Sequence, residues 1–95
     1  MSAYLIANVR VTDPEQYEQY KKLSTLAMQA HGAEFIVRGG PVEVLEGDWQ
    51  PDRMVMARFD SIAQAKAFYE SAEYALARAA RAGAAVMRMV VVEGL

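Results

Sequence analysis

His31 is the only histidine in the chain, and it is the one side chain expected to titrate near neutral pH. It could serve as a general base in a pocket. Alternatively, it could lie at the C-terminus of a helix, where the helix dipole favours a protonated imidazole. A lone histidine in a chain without cysteine is a poor metal site. We therefore expect no metal and no cofactor.

A second group of polar side chains lies in the second half of the chain: Tyr69, Ser71, Tyr74 and Arg81. In a cavity between helices and a sheet, a tyrosine hydroxyl and an arginine could orient a carboxylate or a phenolate. The alternative is a hydrogen-bonded core tyrosine beside a surface arginine. Glu70, Tyr74 and Arg78 follow one another at intervals of four, so they share one side if the helix there is continuous.

A turn-rich loop at residues 46–53 contains the only tryptophan, Trp49, and ends at Arg53. These two side chains could clamp a planar or anionic ligand. Equally, Trp49 could fold over the edge of a sheet or cross to a partner subunit. Because tryptophan and arginine are prominent at protein interfaces, the interface interpretation is favoured.

Hydrophobic periodicity and turn signals predict the elements that would position these residues. We expect strands over residues 3–11, 33–38, 53–59 and 84–93, with further extended structure over residues 42–46. We expect a helix from about Pro14 to Ala30, capped by Thr12 or Asp13 and ended by Gly32. A second helical region follows Ser61 and restarts at Ser71, continuing to about residue 82. The apolar stripe of the first helix is expected to consist of Tyr20, Leu23, Ala27 and Ala30, with Tyr17 alongside.

The resulting order, β-α-β-β-α-β, is typical of the ferredoxin-like α+β fold, with helices on one face of an antiparallel four-stranded sheet. The strands would carry large apolar side chains on both faces, including Ile6, Met54 or Val55, Met56 and those of residues 87–92, so the face without helices would be apolar too. A second copy of the chain is the simplest cover for it, so we expect a homodimer that packs through this sheet face.

Three strand arginines, Arg10, Arg58 and Arg88, alternate with apolar neighbours. If they point into an interface they need acidic partners, because a buried unpaired charge is very costly. The candidate partners are Glu34, Glu43 and Glu93.

Composition limits the functional classes. The length of 95 residues predicts one domain over residues 1–95. The net charge is −2 and the basic residues are scattered, so we expect no nucleic-acid partner. No apolar stretch is long enough to span a membrane, and the first residues lack the pattern of a signal peptide. These features predict a cytoplasmic protein without membrane contact.

Several short motifs, taken together, resemble the domain-of-unknown-function 1330 family. They are Gly39-Gly40, the block from Val42 to Trp49, Pro51-x-Arg53, Phe59-x-Ser61, Tyr69-x-Ser71-x-Glu73-Tyr74, Arg81 and Val92-Glu93-Gly94. The resemblance implies a dimeric α/β barrel, in which two sheets pack face to face. Relatives in that superfamily include cofactor-free monooxygenases, lactone isomerases and haem-handling proteins, so the fold does not select a function.

The main hypothesis is therefore a homodimeric domain that binds a small organic molecule between sheet and helices, with an organic anion as one candidate. Its candidate binding residues are Trp49, Arg53, Tyr69, Ser71, Tyr74 and Arg81. One alternative is a cofactor-independent monooxygenase or isomerase-like enzyme, with His31, Tyr69 or Arg81 as catalytic candidates. Another is a structural or interaction protein without a ligand.

Overall fold

The computed structural model describes all 95 residues, Met1–Leu95, and contains one antiparallel sheet of four strands. In chain order the elements are β1 (Ala3–Val11), α1 (Pro14–Ala30), β2 (Glu34–Arg38), β3 (Arg53–Phe59), α2 (Ile62–Tyr69), α3 (Ala72–Ala80) and β4 (Ala85–Glu93). The strands lie side by side in the order β2-β3-β1-β4. The expected α+β, ferredoxin-like arrangement is confirmed.

Polar side chains begin each helix by capping free backbone N–H groups. Asp13 accepts a hydrogen bond from the Gln16 backbone N–H at 3.1 Å, and Pro14 occupies the first turn of α1. Ser61 caps α2 in the same way. Gly32 adopts a φ of 68° just after α1, a left-handed conformation that glycine takes without strain.

The second helical region is divided into two helices, so the side expected to unite Glu70, Tyr74 and Arg78 does not exist. Ser71 ends one helix and begins the next: its hydroxyl donates to the Phe68 carbonyl at 2.7 Å and accepts from the Tyr74 N–H at 3.1 Å. Tyr74 is consequently buried, whereas Glu70 and Arg78 are exposed. The shared side depended on a continuous helix, and the restart expected at Ser71 interrupts it.

The buried side of α1 differs slightly from the expected stripe. It consists of Tyr17, Tyr20, Ser24, Ala27 and Met28. Leu23 is half-buried and Ala30 is exposed. Both lie on the flank of the stripe, because 3.6 residues per turn bring Ser24 and Met28 onto the line defined by Tyr17 and Tyr20. Spacing alone did not identify Ser24, whose hydroxyl bonds to the Lys21 carbonyl within the helix.

The core lies between the helices and one face of the sheet. Its strand residues are mainly small, including Ala7 and Ala57, which allow the helices to approach closely. The space is filled by aromatic rings: Phe68 lies 5.3 Å from Phe59 and 4.5 Å from Tyr74, measured between ring centroids. These three side chains are completely or almost completely buried. Aromatic burial thus compensates for a core with few large aliphatic side chains.

Residues 42–46, expected to be extended, form no strand. Val42 and Val44 are more than two-fifths exposed and Leu45 is fully exposed. Alternating valines favour a strand, but a strand also needs a neighbouring strand to accept its backbone hydrogen bonds, and this segment has none. The far end of the loop is anchored to β1, because the Asp52 N–H donates to Asn8 Oδ1 at 2.9 Å.

The opposite face of the sheet is covered by no helix, and we call it the free face. Its exposed apolar side chains include Val86, Val90 and Val92 of β4. Of the strand arginines, Arg58 pairs with Glu34 on the neighbouring strand at 3.1 Å. Neither Arg10 nor Arg88 takes part in an ion pair. No helix in the chain is long and apolar enough to cross a membrane.

Candidate functional site

A cavity of about 400 Å³ opens between α2, the end of α3 and the edge strand β4, and we call it the β4 cavity. Its lining residues are Ala65, Lys66, Tyr69, Glu70, Arg81, Met87, Met89, Val90 and Val91. Most of these are hydrophobic, and the polar groups are two cations, one carboxylate and one phenol. Two of the residues selected from the sequence, Tyr69 and Arg81, therefore meet at one cavity.

Tyr69 reaches the β4 cavity because it is the last residue of α2. Its side chain is 39% exposed, and its hydroxyl is not part of the bond between the other two tyrosines of this region, Tyr20 and Tyr74. The Arg78 guanidinium lies 4.8 Å from the centre of the Tyr69 ring, which is within range of a cation–π contact. Tyr69 is thus held by its ring while its polar end stays accessible.

Arg81 reaches the same cavity from the C-terminus of α3, where its own backbone N–H bonds to the Ala77 carbonyl at 3.1 Å. Gln16 fixes this turn to α1 by donating to the carbonyls of Ala80 and Ala82, at 2.9 and 2.8 Å. The Arg81 guanidinium lies 5.6 Å from the centre of the Tyr20 ring. Its Nε is buried and has no hydrogen-bond acceptor.

Tyr74 and Ser71, which were both selected from the sequence, do not line the β4 cavity but have structural roles next to it. The Tyr74 hydroxyl is 2.7 Å from the Tyr20 hydroxyl, and both side chains are buried. Burial raises the pKa of Tyr20, and the neighbouring Tyr74 raises it further. Burial also raises the pKa of Tyr74, although its bond to Tyr20 and the charge of Arg81 oppose this. The pair is therefore neutral at physiological pH, and Ser71 is occupied as a helix cap.

His31 lies away from the β4 cavity. It is the C-cap residue of α1, and its Nε2 is 3.1 Å from a carboxylate oxygen of Glu73 at the start of α3. Its ring meets the edge of Phe68 at 6.1 Å between centroids. This geometry matches the helix-terminus interpretation of His31, and it separates His31 from Tyr69 and Arg81.

Trp49 and Arg53 lie on opposite faces of the sheet, so they cannot clamp one ligand. Trp49 is 60% exposed and borders a shallow groove on the free face with Asn8 and Arg88. Arg53 points to the helix side, where its guanidinium lies 6.0 Å from the Tyr17 ring centre. The clamp hypothesis was wrong because successive strand residues alternate in direction, and Met54 rather than Arg53 shares the face of Trp49.

Sequence reasoning missed three residues that complete the β4 cavity: Lys66, Met87 and Met89. Lys66 precedes Tyr69 by three positions on the same helix, a spacing that places both on one side. Met87 and Met89 alternate along β4 and face the helices. Both signals are visible in the sequence. What the sequence does not show is that the space above them is left open.

The arrangement suits recognition of an organic anion more than metal binding. Arg81 and Lys66 supply positive charge, and the methionines supply an apolar wall. No group of three or more His, Cys, Asp or Glu side chains is placed to hold a metal ion. Glu70 supplies the single carboxylate of the β4 cavity.

Comparison with known families gives one match that spans almost the whole chain: the model described as "Domain of unknown function (DUF1330)" matches residues 2–95. No curated protein matches.

Solved structures share the fold. A protein of unknown function from Rhodopseudomonas palustris has a TM-score of 0.75 at 22% identity, over 99% of this chain and 82% of that one. A dimeric ferredoxin-like protein of unknown function from Thermobifida fusca has 0.60 at 20% identity, over 97% and 92%. SnoaB, a cofactor-independent oxygenase from Streptomyces nogalater, has 0.67 at 9% identity, over 99% and 93%. At these identities the similarity concerns the fold alone.

Proposed function

Because this chain belongs to the DUF1330 family, a domain family of unknown function, we propose a function from its own cavity: it binds a small organic anion in the β4 cavity. The observation that carries the proposal is Arg81, which borders an open, mostly apolar space and has no acidic partner in the protein. A carboxylate or phenolate would supply the missing counter-charge.

The energetic argument concerns the missing partner. Buried polar groups are nearly always hydrogen-bonded, and a buried cation without an acceptor is costly. None of the three ion pairs in the chain includes Arg81. Stacking on Tyr20 holds the guanidinium in place but does not neutralise its charge. An anionic ligand would supply the counter-charge in a geometry that is already formed.

The size and walls of the β4 cavity define the rest of the ligand. About 400 Å³ lies within the usual range of small-molecule pockets. Met87 and Met89 adapt well to flat, polarisable surfaces, and Tyr69 offers both a ring and a hydroxyl. These features favour an aromatic carboxylate or a phenolate over a purely aliphatic anion. Lys66 adds a second positive charge at the rim.

Benzoate, salicylate and 4-hydroxybenzoate test this proposal, with benzamide as the neutral control. Affinities are measured by isothermal titration calorimetry on the wild type, on Arg81→Gln and on Arg10→Gln, an exposed arginine outside the β4 cavity. We expect the acids to bind the wild type and Arg10→Gln alike, and Arg81→Gln at least about tenfold more weakly, since a hydrogen bond to a charged group contributes about 1.5–3 kcal/mol. Equal affinity of all three proteins, or no binding to any, contradicts the proposal and favours a structural role without a ligand.

We also propose that the protein works as a homodimer through its free face. The support is the row of exposed valines on β4, together with the fold shared with a protein described as dimeric. Light scattering tests it: we expect about twice the 10.5 kDa chain mass for the wild type. Ile6→Lys places a charge on the inner strand β1 in the middle of the free face, outside the β4 cavity, and should produce monomers, whereas Leu26→Lys, on the exposed side of α1, should leave the dimer intact. A wild-type monomer would end this part of the proposal.

A second candidate function is catalysis on the bound anion, of the cofactor-independent oxygenase or isomerase type. The observation in its favour is that Glu70, a potential base, lines the same cavity as Tyr69 and Arg81. Oxygen uptake and product formation with phenolic ligands are the measurements. Turnover that Glu70→Gln abolishes while ligand affinity is unchanged would support an enzyme. Binding without turnover would leave a binding protein.

A further inference from the structure

A second positively charged site lies on the other side of the helix layer, between α1 and the strands β2 and β3. We call it the basic groove, and its polar lining is Lys21, Lys22, Thr25, Gln29, Arg38 and Arg53, with Glu18 at its rim. It measures about 700 Å³ and is open to solvent. It shares no residue with the β4 cavity. These basic residues are scattered along the sequence and lie close together only in the folded chain.

Arg53 is held in the basic groove by packing. Its guanidinium lies against Gly39, which has a φ of 78° and leaves no room for a Cβ because Arg53 occupies that space. The same group lies 6.0 Å from the centre of the Tyr17 ring. Its Nε is buried and has no hydrogen-bond acceptor, a feature it shares with Arg81 alone among the side chains of the protein.

Arg38 is held beside it by hydrogen bonds. It lies opposite Val55 in the sheet, which makes Arg53, two residues along β3, its diagonal neighbour. Its guanidinium donates to Thr25 Oγ1 at 2.7 Å and approaches the Lys21 carbonyl at 3.4 Å. It also covers the Phe35 ring at 4.4 Å. Two arginines are thus immobilised next to each other without an acidic partner.

The charge of the basic groove is not balanced by the protein. Glu18 is the only carboxylate there, and it is already paired with Lys21 at 2.8 Å. The pKa of Glu18 is lowered, chiefly by its bond to Lys21 and further by Lys22 and Arg53. Three cations, Lys22, Arg38 and Arg53, remain without a counter-charge in a chain whose net charge is −2.

The space behind the two arginines limits what can bind. The internal void that Arg38 and Arg53 close off is only about 30 Å³, which is room for about one water molecule. The organic part of a ligand cannot enter this void, so the ligand must make all its contacts with the residues that line the basic groove. A compact dianion with several acceptor oxygens matches three fixed or nearby cations better than a monovalent carboxylate does.

We propose that the basic groove is a phosphate-binding site, in which Arg38 and Arg53 hold a phosphate dianion or the phosphate of a monoester and Lys22 closes over it. The immobilised arginines lose little entropy on binding, and the phosphate supplies the counter-charge that Arg38 and Arg53 lack within the protein. The site is independent of the proposed organic-anion site, and either can fail without the other.

The test is a ³¹P NMR titration of inorganic phosphate and of methyl phosphate against the wild type, Arg53→Gln, Lys22→Gln and the control Arg10→Gln. We expect binding to the wild type and the control alike, at least about tenfold weaker binding to Arg53→Gln and a smaller loss for Lys22→Gln. Lys22 is exposed, so its replacement leaves folding intact even if Arg53→Gln proves unstable. Tighter binding of methyl phosphate would identify a phosphate-bearing metabolite as the ligand, and tighter binding of phosphate the free ion.

Two results would overturn the proposal. One is equal affinity in Lys22→Gln, Arg53→Gln and the control. The other is abolition of the ³¹P signal change when sodium chloride is added to the same ionic strength as the phosphate, since that shows general charge screening. Arg81→Gln, measured in parallel, should bind phosphate as the wild type does, which separates this result from the fate of the β4 cavity.

Discussion

Arg53 and Arg81 form a natural comparison, because they are the two side chains with a buried Nε that has no hydrogen-bond acceptor. Each guanidinium also lies over a tyrosine of α1, Arg53 over Tyr17 at 6.0 Å and Arg81 over Tyr20 at 5.6 Å. Their surroundings differ. Arg81 borders methionines and valines, whereas Arg53 borders lysines, a threonine and a second arginine. The same group held in the same way therefore has two different surroundings, and the two proposed anion sites rest on that difference.

From this comparison we expect the neighbours of each arginine to decide which kind of anion it binds. An apolar wall raises the affinity for a ligand with a hydrophobic body, because burying that body releases water. A group of cations instead raises the affinity for a ligand with high charge density. The two sites have one common support, since the rings of Tyr17 and Tyr20 lie 5.2 Å apart on neighbouring turns of α1.

The largest effect is expected from removing that common support. Tyr20→Ala deletes a buried ring and its bond to Tyr74, so we expect a loss of about 3–5 kcal/mol in unfolding free energy, as for other buried aromatic side chains. Urea denaturation measures this. Tyr20→Phe is the matched control and should cost about 1–3 kcal/mol, because it leaves the Tyr74 hydroxyl buried without a partner. A loss below about 1 kcal/mol for Tyr20→Ala would show that the ring is not a structural support.

The next largest effect is on ligand affinity: each arginine variant should weaken the binding of one ligand and leave the other ligand unaffected. We expect Arg81→Gln to weaken benzoate binding at least about tenfold with phosphate affinity unchanged, and Arg53→Gln to do the reverse. Calorimetry of both ligands on both variants and on the double variant measures it. Effects of separate sites should add within about 0.5 kcal/mol. If either variant weakens both ligands equally, the division into two sites is wrong.

A smaller effect is expected at Gly39. Gly39→Ala forces a Cβ into the space of the Arg53 guanidinium at a φ of 78°. We expect a stability loss of about 1–3 kcal/mol together with weaker phosphate binding. Gly83→Ala is the matched control, because Gly83 has a φ of 77° but open space around its Cβ position. It should lose similar stability and keep its phosphate affinity, and a parallel loss in both variants would remove Gly39 from the basic groove.

The smallest effect near neutral pH concerns the tyrosine pair. Burial raises the pKa of both Tyr20 and Tyr74 above the ordinary value of about 10. The folded state therefore holds these protons more tightly than the unfolded state does. Their contribution to stability is complete below pH 10 and is lost as the pH rises above it. Urea denaturation between pH 7 and pH 11 should show constant stability followed by a fall, which is reduced in Tyr20→Phe. A rise in stability above pH 10 would contradict the burial of the pair.

Local patterns predicted most of the fold. The alternation in β1, the caps at Asp13, Ser61 and Ser71, and Gly32 after α1 were all recognisable because each depends on residues a few positions apart. Residues 42–46 join no sheet, because strand formation depends on a neighbouring strand as well as on composition. The pairing of Tyr69 with Arg81 in the β4 cavity was anticipated in outline. The separation of Trp49 from Arg53 followed from a strand alternation that the clamp hypothesis had ignored.

The sequence by itself determined the order of the elements, the helix boundaries and the apolar character of both sheet faces, because these depend on periodicity and on local hydrogen bonds. Only the tertiary structure decided which charges are balanced. His31 contacts the Glu73 carboxylate, which is 42 positions away in the chain, and Arg58 forms an ion pair with Glu34. Arg53 and Arg81 form no ion pair with an acidic side chain. Ion pairing depends on distances between elements that are remote in the chain. For that reason the two unpaired arginines, and the two sites proposed around them, could be located only once the helices were packed on the sheet.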